Sequence, residues 1–169
     1  MSWFERIRLL AALAAVVGLS GCFQPLYGEA AHPGLTEEMR TVQVAPIPDR
    51  IGHYLGDDLI SRMNGSGETP PPKYRLTVKV VQSSSAPTIE SQIGTADAAT
   101  VVGDAKFDLT RIDNGALVYS GSASVSAVYD RFFQSYANLR AARDAEIRIA
   151  RGLADEIALR VGAALSERK

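Results

Sequence analysis

The uncharged apolar run at residues 9–19, LLAALAAVVGL, most constrains what this chain folds into, because it decides which residues take part in folding at all. It is too short to span a bilayer as a helix, which takes about 20 residues. Arg6 and Arg8 precede it, and small residues close it at Leu19-Ser20-Gly21-Cys22. A positive start, a short apolar core and a small-residue end describe an export leader rather than a fold element. Cleavage before Cys22 leaves 148 of 169 residues; Glu5, Arg6 and Arg8 go with the leader, so the formal net charge moves from −1 to −2. A chain of that size makes one domain with its own core. Its near balance of charge lacks the basic excess of a nucleic-acid-binding face, so no nucleic-acid partner is expected.

The Leu19-Ser20-Gly21-Cys22 sequence resembles the lipobox of bacterial lipoproteins. That resemblance implies a diacylglyceryl group on the Cys22 thiol, cleavage between Gly21 and Cys22, and acylation of the new amino terminus. No other cofactor is expected. The competing readings are an ordinary cleaved signal with a chance cysteine, or a buried N-terminal helix; position, flanks and chemistry favour the lipobox. Cys22 is the only cysteine, so no intramolecular disulfide competes for it. Each buried methylene contributes about 0.8 kcal/mol and one acyl chain binds only marginally, so two or three chains make a durable anchor. Lipoproteins of this kind with Asp after the cysteine are commonly retained in the inner membrane; Phe23 therefore favours the periplasmic face of the outer membrane.

Residues 22–38 are rich in Pro, Gly and Ala without a sustained period and read as a lipidated tether, leaving residues 39–169 as the domain. Thr41-Val42-Gln43-Val44 alternates as a short strand and stops at Pro46 and Pro48. Asp49 is placed to cap a helix over residues 50–64, where Ile51, Tyr54, Leu55, Leu59 and Met63 share a face and Gly65 ends it. Tyr74, Leu76, Val78 and Val80 alternate with Lys73, Arg75, Thr77 and Lys79, the pattern of a sheet with one wet face. Residues 100–112 form a second long strand whose alternation slips at Gly103, a predicted bulge. Asp113-Asn114-Gly115 marks a hairpin turn, and residues 117–129 return as the partner strand. Residues 83–99 are small and polar and suit either a long two-stranded arm or a loop. Residues 138–166 form a long amphipathic helix with Leu139, Ala142, Ile147, Ala150, Leu153, Ala154, Ile157, Val161 and Leu165 along its stripe and Glu146 among the charges outside it. The order βαβββα predicts an α+β two-layer sandwich, a mixed sheet of about four strands covered by two helices.

Chemistry has few places to reside. His53 and Asp57 stand four apart on the first helix, two ligands without a third, so a surface hydrogen-bonded pair is expected rather than a metal site. Ser83, Ser84, Ser85, Ser120, Ser122, Ser124 and Ser126 are plentiful, yet none sits in a G-x-S-x-G elbow. Gly65-Ser66-Gly67 follows a helix, the reverse of a phosphate-binding order. No catalytic constellation is expected. Residues 129–136 pack Tyr129, Arg131, Phe132, Phe133 and Tyr136 between the last strand and the long helix. They either cap the core or form an interaction patch, since aromatics and Arg dominate interface anchors.

After the lipidation point the chain reads Cys22-Phe23-Gln24-Pro25-Leu26-Tyr27-Gly28, which resembles the mature start of the LptE-type lipopolysaccharide-assembly lipoproteins. It lacks the glycine that commonly separates cysteine from that run, a change of tether geometry. Further similarities fall in order along the chain: Val44-Ala45-Pro46-Ile47-Pro48-Asp49-Arg50, Tyr74-Arg75-Leu76, Tyr129-Asp130-Arg131, Tyr136-Ala137-Asn138 and Ala142-Arg143-Asp144-Ala145. The resemblance implies a non-enzymatic partner of LptD, a large outer-membrane β-barrel. Such a protein plugs the barrel, assists its assembly and helps deliver lipopolysaccharide to the outer leaflet. It also implies contact with lipopolysaccharide through basic residues. Arg75 and Lys79, with Lys106 and Arg111, are the candidates, beside the plainer reading of solvated strand charge. An auxiliary lipoprotein of a periplasmic lipid or solute transporter is the alternative, and a periplasmic enzyme ranks third.

Replacing Cys22→Ser should leave the leader uncut and stop radiolabelled palmitate from entering the protein. Unaltered processing and membrane residence in that variant would remove the basis for an anchor at this position.

Overall fold

The computed structural model describes residues 34–65, 70–85, 98–131 and 134–167. The leader, Gly21, Cys22, Phe132 and Phe133 therefore lie outside the described residues. Seven elements follow in chain order: α1 (Leu35–Arg40), β1 (Val42–Val44), α2 (Asp49–Asn64), β2 (Tyr74–Ser85), β3 (Ala98–Arg111), β4 (Leu117–Asp130) and α3 (Ser135–Ser166).

The sheet runs in the order β1-β2-β3-β4. β1 lies parallel to β2, with α2 as the crossover that a parallel pair requires, and the other neighbours are antiparallel. Strict alternation sorts the strands into two faces. Tyr74, Leu76 and Val78 on β2, with Val101, Ala105, Phe107 and Leu109 on β3, are buried beneath the helices. Arg75, Thr77, Lys79, Lys106 and Asp108 between them are exposed. On α2, Ile51, Leu55, Leu59 and Met63 turn inward; on α3, Ala145, Ile149, Leu153, Ile157, Val161 and Leu165 do the same. The result is the α+β two-layer sandwich with a four-stranded mixed sheet that the element order implies.

Among the described residues, three helices pack on the sheet rather than two. α1 occupies Leu35–Arg40, within and beyond the end of the stretch whose composition reads as tether. Leu35 is buried, the Glu38 carbonyl accepts hydrogen bonds from the Thr41 N–H and hydroxyl, and the Tyr74 hydroxyl donates to the Glu38 carboxylate at 2.9 Å. Six residues with Leu35 and, more loosely, Met39 against the core are too few to show a sustained period; tertiary contacts stabilise this helix.

Other departures have local causes. Asp49 does not cap α2: no side chain makes a capping hydrogen bond there, and Asp49 itself holds a left-handed backbone, φ 69°. Pro48 in extended conformation precedes it. The α3 stripe begins later than its spacing suggests, because Leu139 lies before the point where the helix meets the sheet and is exposed. Glu146 is buried, and Arg50 Nε and Nη2 both donate to its Oε2, at 2.9 and 2.7 Å. That pair ties the start of α2 to α3. The hairpin turn forms as its residues demand, with Gly115 at φ 69° and the Asn114 side-chain oxygen accepting from the Ala116 N–H.

No bulge forms at Gly103. The register runs unbroken through it, with Gln82 on one side and Val125 on the other, and the irregularity falls at Leu109/Thr110. Gly103 breaks the alternation for a different reason: α3 crosses directly over it, and a Cβ there would overlap Ile149 Cγ2. Gly152 on α3 is its counterpart, where a Cβ would lie 3.0 Å from Val125. Gly103→Ala should therefore cost about 1–3 kcal/mol by overpacking. Urea unfolding should show the penalty shrinking in an Ile149→Ala background; equal penalties in both backgrounds would refute this account of Gly103.

Candidate binding surface

All the helices that pack on the sheet cover one face, so among the described residues no element covers the other. Backbone register builds that open face row by row. Lys79 stands directly opposite Lys106, which stands opposite Ser122 on β4. The neighbouring rows are Thr77, Asp108 and Ser120, then Val81, Asp104 and Ser124. Arg75 faces Thr110. The Ser120 hydroxyl donates to the Asp108 carboxylate at 2.6 Å. Among the described residues, Arg75, Lys79 and Lys106 form no ion pair.

Like charges placed directly across two strands oppose folding by roughly 0.2–1 kcal/mol. A sheet that carries Lys79 against Lys106 thus presents paired cations at its centre. Of the four basic candidates, the structure brings Arg75, Lys79 and Lys106 to this face. Arg111 is elsewhere, at the hairpin turn, where its Nε and Nη2 donate to both Asp113 oxygens at 3.1 and 2.9 Å. That guanidinium holds the Asp113 carboxyl below its ordinary pKa, and Asp113 raises that of Arg111 in turn.

The face changes character toward the ends of β2 and β4. Val81, Val102 and Val128 step diagonally across three strands, Val81 and Val128 being 68% and 53% exposed. In the chain, α3 follows the end of β4, and its first turns expose Tyr136 and Leu139, at 72% and 62%. The aromatic segment therefore divides. Tyr129 packs against the core, Arg131 is exposed, Tyr136 projects outward, and Phe132 and Phe133 lie outside the described residues.

Two features escaped the sequence reading. An open groove of about 770 Å³ runs between α1, α2 and α3, lined mainly by Met39, Met63, Ala158 and Leu159, with Arg62 paired to Asp155 at its rim. Its α1 wall belongs to the helix that had no period. The second is the Arg50–Glu146 lock, hidden because Glu146 reads as one of several helix-surface charges. His53 does meet Asp57, at 3.5 Å with both exposed, and among the described residues no three metal-ligating side chains cluster. The serine row of β4 lies on the open face, on the opposite layer from His53.

No family model matches the chain, and no curated protein matches it. Solved structures do. A protein of Caulobacter crescentus classed as a lipoprotein shares 24% identity, with a TM-score of 0.65 over 82% of this chain and 98% of that one. A minor lipoprotein from Acinetobacter baumannii superimposes with a TM-score of 0.53 at 11% identity, over 73% of this chain and 92% of its own. The rare lipoprotein B of Shewanella oneidensis gives 0.53 at 10%, over 75% and 96%. These likenesses establish the fold.

Lys79→Glu should stabilise the protein by about 0.5 kcal/mol, since it replaces repulsion against Lys106 with attraction. A lowered urea midpoint would show that the two ammonium groups do not oppose each other in the folded state.

Proposed function

We propose that this chain is an outer-membrane lipoprotein that binds and plugs a large β-barrel of the LptD type, assists its assembly and helps deliver lipopolysaccharide to the outer leaflet. The observation that carries this reading is the Cys22-Phe23-Gln24-Pro25-Leu26-Tyr27-Gly28 run on a domain whose fold recurs in bacterial lipoproteins. Physically, a compact domain with a polar, uncovered sheet face suits the polar lumen of an outer-membrane barrel. Lipid chains on Cys22 would hold it beside the barrel wall. Paired Lys79 and Lys106, with Arg75 beyond, supply charge complementary to phosphorylated saccharide. Tyr136 and Leu139 supply exposed apolar anchors of the kind that dominate interfaces. Nothing in the proposal requires hydrolysis, a metal or a redox group.

Affinity capture of the full chain from detergent-solubilised outer membranes tests the reading. A large β-barrel protein should co-purify, and Tyr136→Ala with Leu139→Ala should lower its recovery severalfold. Lys79→Glu with Lys106→Glu should weaken retention of lipopolysaccharide while leaving the barrel complex in place. A chain recovered alone, or with inner-membrane transporter components, would overturn the proposal.

A further inference from the structure

β4 ends the sheet, pairing only with β3 among the described residues, and it is 14 residues long. A long edge strand offers a row of backbone groups to any other strand, and proteins usually blunt such edges with charge, proline or a bulge. Between Leu117 and Tyr129 β4 carries no charge and no proline, and its one register irregularity lies at its start, where Val118 is the extra residue, so the stretch from Tyr119 to Tyr129, YSGSASVSAVY, is unblunted by its own sequence. Its protection comes from another element. Arg160 Nη1 donates to the Ser122 carbonyl, and Arg148 Nη2 donates to the Val128 carbonyl at 3.0 Å.

The two contacts repeat one device. Each arginine is braced by a carboxylate four residues earlier, Asp144 for Arg148 at 2.9 Å and Glu156 for Arg160. Their spacing fits the packing. Twelve helical residues rise about 18 Å, and six strand residues span about 20 Å. α3 and β4 run in opposite directions, so the two arginines meet carbonyls six residues apart, on either side of the close approach at Gly152 and Val125.

The strand beneath these clamps is also partly symmetric about Ser124. Reading outward in both directions pairs Ala123 with Val125, Ser122 with Ser126, Gly121 with Ala127, Ser120 with Val128 and Tyr119 with Tyr129: the serines two away and the tyrosines five away match, and the other pairs join small or uncharged residues. Antiparallel pairing of two copies about a two-fold axis at Ser124 would set tyrosine against tyrosine and serine against serine on matching faces. Alternation of backbone groups along a strand gives Ser122, Ser124, Ser126 and Val128 the same outward edge. That ladder would need the Ser122 carbonyl for Ser126 of the second copy, and the Val128 carbonyl for its Ser120. The clamps hold those two carbonyls.

We propose that the outer edge of β4 is a latent self-pairing surface whose occupant is a second copy of this chain, and that Arg148 and Arg160 keep it closed. Arg148→Ala/Arg160→Ala in the full chain should sediment as a dimer at protein concentrations where the parent is monomeric. The amides of Ser124 and Ser126 should then gain about tenfold or more protection from hydrogen exchange. Adding Ser124→Lys places two lysines face to face at the axis and should restore the monomer. A folded double-arginine variant that stays monomeric overturns the proposal, as does a dimer that survives Ser124→Lys. Should the alanine variant fail to fold, Arg148→Lys/Arg160→Lys decides. One ammonium reaches the carbonyl and the carboxylate together less well than a guanidinium, so partial dimerisation is expected and a strict monomer counts against it.

Discussion

Helix α3 lies against β3 and β4 at a separation that two glycines permit, and most other features of the molecule follow from that contact. Gly103 on β3 and Gly152 on α3 remove the Cβ atoms that would collide with Ile149 and Val125. Larger residues at either place would lift the helix from the sheet and open the space now filled by Leu153, Ile157 and Phe107, all buried. Close packing is demanding in this way because interiors hold few voids and leave little room for an added methyl. α2 then docks against α3, with Arg50 reaching the buried Glu146 carboxylate. A buried carboxylate without its partner would be strongly unfavourable, so the pair also fixes how the two helices sit.

Stacking every described helix on one side has two consequences for the rest of the surface. The opposite face of the sheet meets solvent or a partner, and it is there that Arg75, Lys79 and Lys106 gather. The sheet also ends in an open edge at β4, because no further strand pairs beyond it among the described residues. The first consequence supports the proposed role in handling an anionic lipid. The second is a hazard that α3 itself answers. The helix that buries β4's inner side chains also reaches around its margin with two arginines.

Strand patterns were the most legible part of the sequence. Tyr74, Leu76 and Val78 alternating with charges named both faces of β2 correctly, since a period of two leaves no freedom about which side chain points where. Asp113-Asn114-Gly115 located the turn, because a left-handed residue is needed there and glycine supplies it. Features that depend on a distant neighbour were not legible. Gly103 looks locally like a bulge and is explained only by Ile149, 46 positions later along the chain. Glu146 looks like a solvated helix charge until Arg50 is seen beside it. α1 is six residues long, and its one apolar i, i+4 pair, buried Leu35 and partly buried Met39, is too short to read as a period. For the candidate surface, alternation along β2 set Arg75 and Lys79 on one strand face, as the structure has them. The direct opposition of Lys79 and Lys106 needed the strand register, and so did the separation of Arg111 from them.

Anchoring bears on why an uncharged edge would need guarding. On the proposed lipid anchor at Cys22, copies of the chain would share a membrane plane instead of a volume, which raises their effective concentration toward one another. A strand that pairs weakly in dilute solution would then meet its like far more often. A charged residue placed on β4 would protect the edge, but it would also alter the small, serine-rich open face beside Lys106. Arginines arriving from α3 leave that face unchanged. They satisfy carbonyls from the side and engage none of the serine side chains, so edge protection and surface chemistry are separated onto different elements.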